Sequence, residues 1–197
     1  ATILFLAAIY AANMRQVGTW RGGVAPLAMV GGSAAAILLL QPNTDGAVVI
    51  AVASAAVLFA AGGKLRHLGV LALIGVLAVG AIAYQRPYLL ERFTTFVSQG
   101  ADDPQGAGWQ IQQSLIAVGS GGLTGRGFGQ SIEKFSYLPE PIGDSIFAVA
   151  AEEFGLVGSA GLIALYAAFA LLGLRIAARA PDPFGGLLVV GLVVLIV

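Results

Sequence analysis

Six apolar runs set the order of the chain, at residues 1–14, 23–40, 46–63, 68–84, 154–174 and 184–197. They do not alternate with the period of two that a membrane barrel strand needs, so a β-barrel is excluded. Most approach the ~20 apolar residues with which a helix crosses a bilayer, and the pattern predicts an all-α, polytopic membrane bundle. The run at 1–14 falls short of a crossing, as a helix cut at its start would. No basic flank or cleavage pattern frames it, so it does not read as a signal peptide. A chain that opens on Ala and stops inside an apolar run is expected to be an internal stretch of a larger protein, with one membrane domain over residues 1–197.

The links between the runs carry turn chemistry and charge. Residues 41–46, Gln-Pro-Asn-Thr-Asp-Gly, make a tight reversal. Arg15 and Arg21 follow the first run, Lys64, Arg66 and His67 follow the third, and Arg175 and Arg179 follow the fifth. With one crossing per run, these three links share a side and hold six of the ten Lys and Arg residues. The 41–46 turn falls on the other side and has none. Basic links face the cytoplasm, which puts the long polar stretch at about 85–145 outside it. Composition agrees with a bilayer. The chain is 58% hydrophobic and 10% charged, against about 25% charged in a soluble domain. A formal net charge of zero gives no sign of nucleic-acid binding; the absence of cysteine excludes disulfides and thiolate metal sites, and the single histidine, His67, argues against a zinc site.

Residues 102–153 gather the candidate chemistry. Asp102, Asp103, Glu133, Glu140, Asp144, Glu152 and Glu153 are seven of the ten acidic residues. Tyr84, Tyr88, Phe93 and Phe96 suit an interfacial aromatic belt, and residues 109–119 suit a short amphipathic helix on the membrane surface. The glycine run at 119–129 lacks the G-x-x-x-x-G-K-[ST] order and is no nucleotide loop. Two readings stay open for it: backbone N–H groups approaching an anion beside Arg126 and Lys134, or a surface turn with solvated cations. Asp144 stands before an apolar helix, as an N-cap or as a partly desolvated general base. Glu152 and Glu153 stand at the head of the fifth apolar run, where acids face a protein interior or a wet cavity or pair with basic residues in spans outside this stretch. Ala148, Ala151, Gly155 and Gly158 would let a further helix pack close.

Several separated motifs carry a resemblance. They are Gln41-Pro42-Asn43, Asp103-Pro104-x-Gly106-x-Gly108-Trp109-Gln110, Gln113-Ser114, Gly119-Ser-Gly-Gly-Leu123 and Gly127-x-Gly129-Gln130-Ser131. Lys134-x-x-Tyr137-Leu138-Pro139-Glu140, Asp144-x-Ile-Phe147-Ala148 and Glu152-Glu153-x-Gly155 complete them. In order and spacing the chain resembles the SEDS family of FtsW, RodA and SpoVE, and the run from Pro139 to Ala148 looks closer to FtsW. The family's essential aspartate, in a His-Thr-Asp-Phe-Ile-Phe setting, matches Asp144. Ile142, Gly143 and Ser145 depart from that setting, so only the aspartate carries over.

The resemblance implies a multi-pass protein of the bacterial plasma membrane that polymerises lipid II into peptidoglycan glycan strands by inverting glycosyl transfer. Asp144 would be the base. Arg126 and Lys134, with Arg86 and Arg92 behind them, would meet the undecaprenyl diphosphate leaving group. Gln130 and Ser131 would help to bind substrate, Glu140 would position it, and Asp103 would shape the loop, with Glu152 and Glu153 in support. A divalent cation, Mg2+ or Mn2+, is a candidate to share the leaving-group charge, although the sequence shows no dedicated cage. Implied partners are a class B penicillin-binding protein transpeptidase, other divisome or elongasome membrane proteins and membrane lipids, with no nucleic acid. Two rival functions remain open, a lipid II flippase and a non-enzymatic divisome scaffold.

Overall fold

The computed structural model describes residues 1–40, 44–85, 95, 97–98, 107–139 and 141–197. Arg86, Arg92, Asp102, Asp103 and Glu140 lie outside the described residues. Within them the chain is helical and without strands: α1 (Thr2–Ala12), α2 (Gly32–Leu40), α3 (Thr44–Ala60), α4 (Leu65–Gln85), α5 (Ala107–Ser120), α6 (Glu133–Ser136), α7 (Ile146–Ala178) and α8 (Pro183–Ile196). The chain divides into two compact units, residues 1–76 with 166–197, and residues 77–165.

In the first unit the helix ends follow local chemistry. The carboxylate of Asp182 accepts the Gly185 N–H at 2.6 Å and Pro183 opens α8, since an orphan amide is capped and proline lacks the N–H that would be orphaned. α3 stops where Gly62 takes φ +92, and the Gly63 N–H closes back on Leu58 O at 2.9 Å, a paired C-terminal closure that a left-handed glycine permits. Between α1 and α2 the backbone opens into two π-type turns, Trp20–Val24 and Leu27–Gly31, on either side of Pro26. They leave the Gly23 carbonyl free to accept the buried Tyr10 hydroxyl at 2.7 Å.

Ile3, Leu6, Tyr10, Val57, Leu58 and Leu187 form the core of this unit. α1, α3 and α8 approach so closely at Gly191 that a Cβ there would run into Ile3 and stand 2.8 Å from Val57. Small residues at helix contacts are how membrane helices gain dispersion energy without a hydrophobic drive. In this unit two buried polar side chains, His67 and Ser54, lack partners among the described residues. His67 packs its ring 4.5 Å from that of Trp20 with both nitrogens unpaired. Ser54 has an unpaired hydroxyl beside an apolar groove of about 590 Å3 lined by Leu27, Phe59 and Leu68 among others. An unsatisfied buried hydroxyl costs about 1–3 kcal/mol, so Ser54→Ala is expected to leave stability unchanged or raise it by about 1 kcal/mol. Thermal melting in detergent checks this, and a clear loss of stability would mean that the hydroxyl is satisfied after all.

Among the described residues one helix, α7, is long and apolar enough to cross a membrane, and α1, α3, residues 65–77 of α4, and α8 are shorter apolar helices. Only 11% of the most apolar window of α7 is buried. A core helix of a soluble protein would be covered, whereas this one offers Leu156, Val157, Leu165 and Leu171 outward at 61–68% exposure, as a lipid-facing surface does.

Candidate functional site

In the second unit α7 is a broken helix. Gly155 takes φ 66 and ψ −165 inside it, a region open essentially to glycine alone. A break at membrane depth orphans carbonyls on one side and amides on the other, and such a break persists only where protein or water satisfies them. Here the glycine run does so. The N–H groups of Arg126 and Gly127 donate to the carbonyls of Glu152 and Glu153, both at 3.0 Å. On the far side Leu156 and Val157 donate to the carbonyls of Gly122 and Leu123 at 2.9 and 3.1 Å. The run therefore lies in the gap, and the glycines make that approach possible. A Cβ at Gly121 would collide with the Ala151 carbonyl, and one at Gly125 with the Glu153 carbonyl.

This corrects two sequence expectations. The amides of Arg126 and Gly127 are engaged with the helix and not free to line an anion cradle. Gly155, read as one of four small residues that would let another helix pack close, is the break itself. The signal was present, because a glycine inside an apolar helical pattern is costly unless the backbone requires it.

Glu152 finds its basic partner in this run, and Glu153 finds its own just beyond it, at Lys134. Glu152 is fully buried. Its carboxylate accepts the Ser131 hydroxyl at 2.5 Å and the Ile132 and Glu133 amides at 3.1 and 3.4 Å, and it stands 3.4 Å from the Nε of Arg126. Glu153 pairs with the Lys134 ammonium, which also sits 5.0 Å above the Phe135 ring. Buried charges need partners and hydrogen bonds together, and each glutamate has both. The cations also lie near the carbonyl end of the first half of α7, where the helix dipole favours positive charge. Ser131 is 2% exposed with its hydroxyl committed to Glu152, so it holds the loop and does not face outward. Gln130 is exposed. Arg126 keeps 38% of its side chain exposed, with only Nε in the pair. Glu133 has one carboxylate oxygen buried without a partner among the described residues.

Asp144 stands apart from this cluster in kind. α7 begins at Ile146, so the capping position belongs to Ser145, and the N-cap reading of Asp144 is corrected. Asp144 is exposed, and no described residue hydrogen-bonds or ion-pairs with it. The segment around it is fastened to α5: the Trp109 indole N–H donates to Tyr137 O at 3.1 Å and the Gln110 carboxamide to the Ser145 hydroxyl at 3.2 Å. Ala117, Leu138, Ala148 and Val149 form a small apolar cluster beneath it. The sequence reading missed Trp109, Gln110 and Ser145 as holders of this segment, since pairs 28 and 35 residues apart leave no local periodicity.

Among the described residues no group of three His, Cys, Asp or Glu side chains is arranged to hold a metal ion, and Glu152 and Glu153 are already matched by cations. The described residues build no protein metal cage, and Asp102, Asp103 and Glu140 lie outside them.

A family model described as cell cycle protein, covering FtsW, RodA and SpoVE, matches residues 1–197. The chain is 37% identical over 196 residues to stage V sporulation protein E of Bacillus subtilis, covering 100% of this chain and 53% of that protein. It is 39% identical over 193 residues to a "probable peptidoglycan glycosyltransferase FtsW" of Nitrosococcus halophilus, covering 96% and 49%. A protein of the same printed name in Legionella pneumophila is 43% identical over 155 residues, covering 79% and 39%. The chain spans about half the length of the curated relatives it matches. It belongs to the FtsW/RodA/SpoVE family.

Proposed function

We propose that, within its family, this chain carries the catalytic centre of a lipid II polymerase of the bacterial plasma membrane. The observation that carries the reading is the contrast between carboxylates. Glu152 and Glu153 are buried and neutralised, whereas Asp144 is exposed and unengaged by any described residue. A proton acceptor must reach its proton directly or through one water, and Asp144 is free to do so.

In this reading the 4-hydroxyl of a GlcNAc residue attacks the anomeric carbon of MurNAc. A new C–O bond forms at C1, the old C1–O bond breaks with inversion, and undecaprenyl diphosphate departs with its electron pair. Asp144 takes the hydroxyl proton. Charge developing on the diphosphate calls for fixed donors. Arg126 supplies them from its outer nitrogens, because Glu152 engages Nε and so orients the guanidinium. Lys134 and the exposed Gln130 stand near it in the chain, with Arg86 and Arg92 assigned the same task and Glu140 and Asp103 assigned to positioning and loop shape. Ser131 enters through its hold on Glu152. The protein is multi-pass in this proposal, with residues about 85–145 outside the cytoplasm, on the strength of the six basic residues in the three cytoplasmic links. A class B penicillin-binding protein transpeptidase and other divisome or elongasome proteins are its partners, and its lipid substrate enters from the bilayer.

Full-length protein, purified with its transpeptidase and given lipid II, is expected to yield glycan strands resolvable on a gel. Transport of lipid II across vesicles with no strand formed would instead support a flippase. The pairing of Glu152 and Glu153 with loop cations speaks for chemistry, because a polar transport path needs such acids accessible.

A further inference from the structure

We propose that Gln110 and Ser145 are positioning residues for Asp144, joined in a short hydrogen-bonded brace that fixes where its carboxylate stands. The proposal rests on the reading of Asp144 as the proton acceptor. That reading makes a demand on the fold: a carboxylate that must accept a proton from substrate cannot be anchored through its own oxygens. Its position has to come from its covalent neighbours.

The neighbour that is anchored is Ser145, at 4% exposure. Its hydroxyl donates to the Pro139 carbonyl at 3.2 Å. A serine hydroxyl has one proton, so the oxygen can only accept from Gln110, whose carboxamide nitrogen lies 3.2 Å away. The two bonds run in one direction, from α5 to Ser145 and on to Pro139, and close the bend at 139–145 on itself. Among the described residues few other fastenings hold this bend. Pro139 and Pro141 have no N–H to donate, and the Ile146 amide makes a long bond of 3.4 Å to Gly143. One residue before Gln110, Trp109 fastens Tyr137 two residues ahead of the same bend. Downstream, the Ser145 carbonyl accepts the Val149 amide at 3.2 Å and so belongs to the first turn of α7. Ser145 is therefore the corner at which helix, bend and α5 meet, and Asp144 is bonded directly to it. Rotation at that corner would swing the carboxylate, and displacements near 1 Å can cost on the order of 100-fold in rate.

The test uses the full-length protein with lipid II. Ser145→Ala and Gln110→Leu are each expected to lower kcat about tenfold with KM within about twofold, since they misplace a base and leave the binding groups alone. Ser145→Thr, which keeps the hydroxyl, should recover most of the rate. The double variant should be little worse than either single one, because both break the same brace. A nitroxide at Ile142, 87% exposed in the bend, should give a sharper spectrum in Ser145→Ala and not in Ser145→Thr. This reads the brace without catalysis. Wild-type kcat and an unchanged spectrum in Ser145→Ala and Gln110→Leu, beside an inactive Asp144→Asn, would overturn the brace alone. Wild-type rates in Asp144→Asn would remove the base itself, and with it the purpose assigned to the brace. Should Ser145→Ala fail to fold, Gln110→Leu carries the same comparison.

Discussion

Asp144→Asn is expected to lower the rate of glycan polymerisation by roughly 10²–10⁴-fold, the usual contribution of a positioned general base. Asparagine keeps the shape of the side chain and removes its capacity to accept a proton at neutral pH. Because no described residue hydrogen-bonds or ion-pairs with the Asp144 carboxylate, the substitution breaks no described hydrogen bond or ion pair, and the melting temperature should stay close to wild type. Lipid II binding should likewise persist, since the cations proposed to meet the diphosphate are untouched. The measurement is strand formation by the full-length protein, alongside thermal melting and lipid II binding on the same preparations. Polymerisation at the wild-type rate would take Asp144 out of the mechanism. A fall in stability matching the fall in rate would make its role structural.

Gly155→Ala should have the largest effect on folding. The residue sits at φ 66 and ψ −165, where an L side chain costs about 1–3 kcal/mol in backbone strain alone. Its Cβ would also collide with the Gly125 amide and lie 2.7 Å from the Leu123 carbonyl carbon. Moving either group disturbs the bonds that satisfy the break, each of which leaves a buried backbone group exposed to apolar surroundings when lost. We expect a loss on the order of 3 kcal/mol or more, seen as low folded yield or a sharply lowered melting temperature. Gly161→Ala is the control, since a Cβ there has open space around it and alanine is the better helix former. A Gly155→Ala protein that melts with the wild type would mean that the break is not needed.

Much of the scaffold was legible because hydropathy and capping are local. Gly62 and Gly63 end α3 where the apolar run ends, and Pro183 opens α8 one residue before its run begins. The family could be read from motifs whose spacing survives across the chain, and the glutamate pair was recognised as needing partners. The break in α7 was not legible, because hydropathy averages across Gly155 and the groups that fill the gap come from 28 or more residues earlier. The pairing of Arg126 with Glu152 and Lys134 with Glu153 was hidden for the same reason: charge counts do not say which acid meets which base. Ser145 was noticed only as a departure from the family pattern. Its partners Gln110 and Pro139 explain what a serine can do there that an apolar residue cannot.

The glycine run also reverses a common expectation about length. Surface loops usually tolerate insertions and deletions. Here Gly122 and Leu123 serve one side of the break and Arg126 and Gly127 the other. From Leu123 to Arg126 the chain advances by as many residues as from Glu153 to Leu156. One residue added or removed between these pairs would leave one side of the break matched and the other orphaned. This loop is therefore as fixed in length as the helix it completes.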